Sequence, residues 1–217
     1  MTIDMAGAEC QAEQGLGREL PGAQKHPKIL LLAARPDVAK GHLTAYRAVA
    51  RLKQAGYDPA LWMSGKLATG HDDSFVRQLE ALAEGLGIQE NVFHLGWIEN
   101  VPALVQACDV AILPSHSEGF PRSILEAMVL RRPVVATPVG GVPDSLKDGQ
   151  TGLLVPVDDD QALADAIVRL TTHAEFRARL VATAYDFAHA EFGPEEHVRR
   201  IEGILESVVR QQDKRPE

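Results

Sequence analysis

The sequence is short of cysteine, of long apolar runs and of surplus positive charge, and each shortage removes a class of protein. Its 217 residues hold two cysteines, Cys10 and Cys108, far apart and without metal-ligand spacing. That excludes a disulfide scaffold and a cysteine-based zinc site, and it is what free thiols in a reducing cytoplasm look like. No stretch approaches the ~20 apolar residues needed to span a bilayer as a helix. The first residues, MTIDMAGAECQAEQ, lack the basic start and apolar region of a secretory signal. A cytoplasmic protein is expected.

Lysine and arginine total 22 against 30 acidic residues, for a formal net charge of -8. Nothing basic and contiguous invites nucleic acid or an anionic membrane as a general partner. A phosphate-bearing ligand is not excluded, because one or two placed cations suffice for it. Two glycine-rich phosphate loops are also missing. There is no G-x-G-x-x-G after the first apolar run and no G-x-x-x-x-G-K-[ST] anywhere, which argues against a dinucleotide-dependent dehydrogenase and a P-loop NTPase. Neither an internal repeat nor a low-complexity tract is present.

What remains is a globular composition, 45% hydrophobic, of a length suited to one good core. Residues 1–27 are polar, without clean periodicity, and are expected to be flexible or loosely attached. Residues 28–209 alternate short apolar runs with amphipathic segments, and residues 210–217 form a polar tail. Strands are expected at Lys28–Ala34, Ala60–Met63, Asn91–Leu95, Val110–Leu113, Pro133–Ala136 and within Gly149–Pro156, with helices between them. Units of about thirty residues in this alternation predict an α/β fold with a doubly wound parallel sheet, Rossmann-like, in the order 3-2-1-4-5-6.

The most informative stretch is Leu113–Pro143, LPSHSEGFPRSILEAMVLRRPVVATPVGGVP. Glu118 lies in the loop after an apolar run, and Glu126 lies inside the helix that follows. Pro121 suits a first helical turn, where its missing N–H is not needed. Unpaired amides at a helix start can bond sugar hydroxyls or phosphate oxygens, and a carboxylate one turn on can accept both hydroxyls of a ribose. Solvated helix-end charges favoured by the dipole are the plain alternative for two glutamates. Earlier in the chain, Arg35 and Lys40 follow the first strand beside a helix start, as a diphosphate clamp or as two surface cations. Asp158, Asp159 and Asp160 read as a helix cap, and so do His71, Asp72 and Asp73, ahead of any metal site.

In this ordered combination the chain resembles the donor-binding domain of the GT-B glycosyltransferases, in the retaining family known as group 1. The residues carrying the resemblance are Glu118 and Glu126 with seven residues between them, Pro133–Thr137, Gly140 and Gly141, and Arg35 with Lys40 and Gly41. The resemblance runs from about Pro27 to Val209 and corresponds to the C-terminal half of a GT-B enzyme. It implies that Arg35 and Lys40 grip the donor diphosphate and stabilise its departure. Glu118, with the amides of Gly119 and Phe120 ahead of Pro121, would hold the sugar, and Glu126 the ribose. Gly96 and Trp97 would line the base, although Trp97 suits core or interface packing equally well.

The implied activity is transfer of a hexosyl group with retention from a nucleoside diphosphate sugar, a UDP-sugar foremost. No metal and no cofactor would be required. The resemblance also implies that the acceptor-binding half lies elsewhere, in a separate acceptor-domain protein. The chain alone would then bind donor without transferring it. A non-catalytic nucleotide-sugar-binding module or a truncated glycosyltransferase and, less well supported, a nucleotide-sugar epimerase of the same architecture stay open. The stripe Val198, Ile201, Leu205 and Val208 on a last helix would be partly exposed, fold onto its own domain, or be buried against a partner or a second copy. Two departures stand out from the family pattern. Ala34 replaces a glycine, and Arg131 occupies a helix end where glycine is usual, at a cost of about 1 kcal/mol if the backbone there is left-handed.

Overall fold

The structure is a computed structural model, and it describes residues 20–65 and 74–194 together with Ala8, Glu196, Val198, Arg199 and Glu202. Six parallel strands form one sheet: β1 (Lys28–Leu32), β2 (Pro59–Ser64), β3 (Val92–Gly96), β4 (Val110–Leu113), β5 (Val134–Ala136) and β6 (Leu153–Leu154). Their order is β3-β2-β1-β4-β5-β6, as expected from the sequence. Apolar β1 and β2 run without polar alternation because both faces of the sheet are covered. Leu30 aligns with Leu61 of β2 on one side and Val110 of β4 on the other.

Seven helices among the described residues cover the two faces. They are α1 (His42–Gln54), α2 (Ser74–Leu86), α3 (Val101–Ala107), α4 (Arg122–Val129), α5 (Val142–Ser145), α6 (Asp160–Thr172) and α7 (Ala174–Phe192). The period-two direction of strand side chains divides the core in two. Leu30 and Leu32 pack with Ala45, Val49, Leu79 and Leu163, beneath α1, α2 and α6. Ile29 and Leu31 pack with Leu104, Ile124 and Met128, beneath α3 and α4. Helix α7 serves both layers, with Leu180 in the first and Ala184 and Ala188 in the second.

Several local expectations change in detail. Pro121 is the N-cap of α4 and not its first helical residue. The cap of α6 is Asp159, whose side chain accepts from the Ala162 amide, whereas Asp158 stands before it with φ of 60°. Residues 20–27, assigned to the loose leading segment, sit against the core. Leu20 and Ala23 pack on the second layer, the Pro21 carbonyl accepts the Trp62 indole N–H at 2.8 Å, and His26 is buried. The cap read at His71, Asp72 and Asp73 lies outside the described residues. So does the last apolar stripe, except for exposed Val198.

Arg131 takes the left-handed backbone that the sequence flagged, with φ of 54°. Its amide bonds the Met128 carbonyl and the next amide, of Arg132, reaches back to Ala127. This pair of bonds is the Schellman closure of a helix, with arginine where glycine is preferred. The guanidinium lies 3.7 Å from the centre of the Tyr185 ring of α7, a cation–π contact that offsets part of the backbone cost.

Candidate functional site

The strand order reverses between β1 and β4, so the loops leaving their carboxyl ends diverge around a crevice, the usual ligand position in open α/β sheets. The β1 loop carries Arg35 and then a 3-10 turn, Val38–Lys40, capped by Asp37. The β4 loop carries Ser115, His116 and Glu118. Two glycines let these loops touch. Gly41 has φ of 69°, and a Cβ there would lie 1.8 Å from the Pro114 carbonyl oxygen. Gly140, after β5, has φ of 53°, and its Cβ would lie 1.7 Å from the Glu118 carbonyl oxygen. Any other residue at either position would push the loops apart.

The contact this produces is polar and nearly closed to solvent. Lys40 Nζ donates to Glu118 Oε1 at 2.9 Å, with the Glu118 side chain 9% exposed. Buried Ser115 donates its hydroxyl to the same oxygen at 2.7 Å. The two loops are also stitched through the backbone, where His116 N–H donates to the Ala39 carbonyl at 2.8 Å. On the far side, Gly141 N–H donates to the Gly119 carbonyl at 2.9 Å. Gly119 is exposed and Phe120 is half-buried, its ring 5.6 Å from that of Phe192. Neither amide of this pair donates to another described backbone group.

Arg35 is exposed and holds Asp37 at 3.1 Å. The Ala39 amide and the Arg35 guanidinium keep the Asp37 carboxyl below its ordinary value. Glu126 sits apart, in the second turn of α4. Its one described ion pair is with Arg122, at 3.9 Å. Burial pushes the Glu126 carboxyl up, with Arg122 opposing. Gly96 ends β3 with a positive φ, and its carbonyl accepts the Gly65 amide at 2.8 Å. Trp97 beside it is 72% exposed, so it is not a core residue. It stands at the edge of the sheet, beyond β2.

Three residues of the site, Ser115, His116 and His42, were not singled out in the sequence, and Thr137 was named only as the end of the Pro133–Thr137 run. Ser115 could have been found from its place three positions before Glu118 in one tight loop. Thr137, buried, donates its hydroxyl to the Ser115 carbonyl. His116 lies between the Val38 carbonyl (Nδ1, 3.2 Å) and Asp158 Oδ1 (Nε2, 2.6 Å). Asp158, which read as a helix cap, therefore ties the β4 loop to the start of α6, and its bond from His116 lowers its pKa. His42 opens α1 fully buried, and neither ring nitrogen has a hydrogen-bond partner. Burial brings its pKa down to about 4, so the ring is neutral at pH 7.

A cavity of about 840 Å³ lies at the opposite, amino ends of the strands, between Lys25, Lys28, Cys108, Asp109 and Arg132. Volume and chemistry disagree here. An open crevice between diverging loops encloses little space, so the position of charge is the better guide. Among the described residues no group of three or more His, Cys, Asp or Glu is placed to hold a metal ion. No helix there is long and apolar enough to cross a membrane.

A parallel sheet in this order, with paired cation and carboxylate at its switch point, defines a Rossmann-like domain of the kind that forms the C-terminal half of GT-B enzymes. The comparisons with known proteins agree. The pattern described as glycosyl transferases group 1 matches residues 18–187, and the chain belongs to that family. It is 30% identical to an alpha-D-kanosaminyltransferase of Streptomyces kanamyceticus over 93% of this chain and 51% of that protein. It is 36% identical to a D-inositol 3-phosphate glycosyltransferase of Stackebrandtia nassauensis over 74% of this chain and 37% of that one.

The chain thus spans about half the length of these relatives, or less. Among solved structures, the C-terminal domain of a group 1 family protein from Francisella tularensis superposes with a TM-score of 0.75 at 26% identity, over 88% of this chain and 99% of that domain. Anabaena HepE, crystallised with UDP, gives 0.84 at 24% identity over 95% of this chain and 56% of its own.

Proposed function

We propose that the crevice between the β1 and β4 loops binds a nucleoside diphosphate sugar, and that the domain is the donor half of a retaining hexosyltransferase. The observation that carries this is the Lys40–Glu118–Ser115 contact at the switch point, made possible by Gly41 and Gly140. Lys40 and Arg35 are the cations within reach of a diphosphate there. Stabilising that leaving group is the main electrostatic task of the reaction. Glu118, with the amides of Gly119 and Phe120, takes the sugar hydroxyls, and Glu126 takes the ribose. Trp97 offers an exposed aromatic face toward the base. A UDP-sugar is the first donor to test, since the Anabaena relative of this fold is seen with UDP and with UDP-glucose.

In the transfer, the bond from the anomeric carbon to the diphosphate oxygen breaks. The acceptor hydroxyl oxygen bonds to that carbon on the same face, and its proton passes to the departing diphosphate. Holding the acceptor there needs a second wall, and such positioning supplies much of a catalytic barrier. We assign that wall to another domain or chain. By itself the domain is a donor-binding module that does not turn over. The same residues suit a transferase better than an epimerase.

The test is a thermal-shift panel of nucleotides and nucleotide sugars. A ligand at a hundred times its dissociation constant adds about 2.7 kcal/mol of stability. No shift with any nucleotide would refute the reading. Incubation of the protein with labelled nucleotide sugars and mixed acceptors, alone and then with acceptor-domain proteins, separates a half-enzyme from a complete one.

A further inference from the structure

We propose that Ser115 is the positioning residue that keeps Glu118 aimed at the donor sugar while Lys40 changes partner from Glu118 to the diphosphate. This rests on the donor-site reading above. Glu118 Oε1 accepts two bonds, from Lys40 Nζ at 2.9 Å and from Ser115 Oγ at 2.7 Å. Both donors engage one oxygen, and no described group donates to Oε2. The carboxylate is therefore held by one edge and presents the other.

The two donors are unlike. Lys40 is a charged group on a long, flexible stem, and its side chain is 24% exposed. In this structure its charge offsets that of Glu118, which would otherwise be a nearly buried, unpaired carboxylate. A diphosphate in the crevice competes for that ammonium with more negative charge. Ser115 is uncharged, fully buried and turned by a single rotor. Its backbone is fixed independently of the ligand. The Thr137 hydroxyl donates to its carbonyl, and the Thr137 amide bonds the Leu113 carbonyl at 3.2 Å. Nothing about a diphosphate draws a neutral hydroxyl away from Glu118. Once Lys40 has moved, Ser115 is the tether that remains.

The consequence is a split between two ligands that differ only in the sugar. The hydroxyl of Ser115 matters where Glu118 matters, and Lys40 matters for both. Calorimetric Kd values for UDP and for UDP-glucose, on protein checked by its melting curve, read this directly. Ser115→Ala should weaken UDP-glucose binding about tenfold, the size of one lost hydrogen bond to a charged group. UDP affinity should stay within about twofold of wild type, inside the scatter of such contributions. Ser115→Cys keeps the volume with a weak donor and should show the same selective loss, while Ser115→Thr, which keeps the hydroxyl, should recover the preference. Lys40→Ala should weaken both ligands. Equal losses of UDP and UDP-glucose in Ser115→Ala and Ser115→Cys would make Ser115 a merely structural residue and overturn the proposal, as would no loss in either. Wild-type protein that binds no nucleotide or nucleotide sugar of the thermal-shift panel would overturn the donor-site reading itself, whereas binding of another nucleotide moves the same comparison to that nucleotide and its sugar.

Discussion

The two ends of the sheet treat charge differently. At the amino end the described charges are closed by protein partners. Asp109 accepts from the Ile29 amide at 2.8 Å and from Lys28 at 3.2 Å. Asp58 accepts from Asn91 at 2.7 Å and faces His26, whose other nitrogen meets the Glu90 carbonyl at 3.0 Å. Lys25 pairs with Glu90. The exception there is Arg132 Nε, buried and without a hydrogen-bond partner.

At the carboxyl end the pairing is partial. Glu126 has only a 3.9 Å ion pair and a pKa raised by burial, Arg35 is exposed, and Glu118 is held by one oxygen. The 840 Å³ cavity is at the closed end, and the residues proposed to bind donor are at the open one. Unfinished pairing of charge marks a site for a charged ligand better than volume does.

Breaking the open end through its backbone should have the largest effect. Gly140→Ala combines a left-handed φ with a Cβ 1.7 Å from the Glu118 carbonyl. Strain and overpacking together should cost roughly 3 kcal/mol or more. Nucleotide-sugar binding should be lost with it, as a melting curve and a binding isotherm on the same sample would show.

Glu126→Ala comes next. It should weaken nucleoside diphosphate binding by roughly 1.5–3 kcal/mol, the range for a hydrogen bond to a charged group. Unchanged affinity by calorimetry would move the ribose elsewhere. The raised pKa adds a sign. Between the ordinary value of 4.5 and the raised one, the folded protein keeps a proton that the unfolded chain has released. Stability therefore falls as pH rises through that window, while ligand affinity rises as the carboxylate forms. Glu126→Gln should accordingly melt higher than wild type at pH 7 and bind worse. Equal melting temperatures at pH 7 would contradict the cost assigned to the buried charge.

At the closed end the pattern should invert. Asp109→Ala removes two bonds and should destabilise the fold by roughly 1–3 kcal/mol, with nucleotide affinity unchanged in the same calorimetric assay. A parallel loss of affinity would mean that the two ends are coupled. The smallest effect is expected at Arg131. Arg131→Gly relieves about 1 kcal/mol of left-handed backbone and forfeits a cation–π contact worth about 0.5–1 kcal/mol, so denaturant midpoints should barely move. Arg131→Ala keeps the strain and loses the ring, and should be the less stable of the two.

The fold was legible in the sequence because its signals are local and repeated. Short uninterrupted apolar runs such as ILLL read as strands covered on both sides, and Gly56 and Gly87, both with positive φ, follow helix ends. The family resemblance implied roles for Glu118, Glu126, Arg35 and Lys40, but it could not give their contacts. Lys40 and Glu118 are 78 positions apart, and the close approach that joins them depends on carbonyl positions at Pro114 and Glu118. Asp158 looked like one of three equivalent capping acids. Only its left-handed backbone and the nearness of His116 separate it from Asp159. Ser115 and Thr137 were hidden for the same reason, since a buried hydroxyl is defined by its partner and not by its neighbours in sequence.

The central claim, that ligand binds at the open end, is tested most directly by amide hydrogen exchange with and without UDP and UDP-glucose. Protection should concentrate in residues 34–42, 115–126 and 137–142, the loops after β1, β4 and β5. Protection confined to residues 23–29 and 106–109, around the large cavity at the amino ends of the strands, would contradict it.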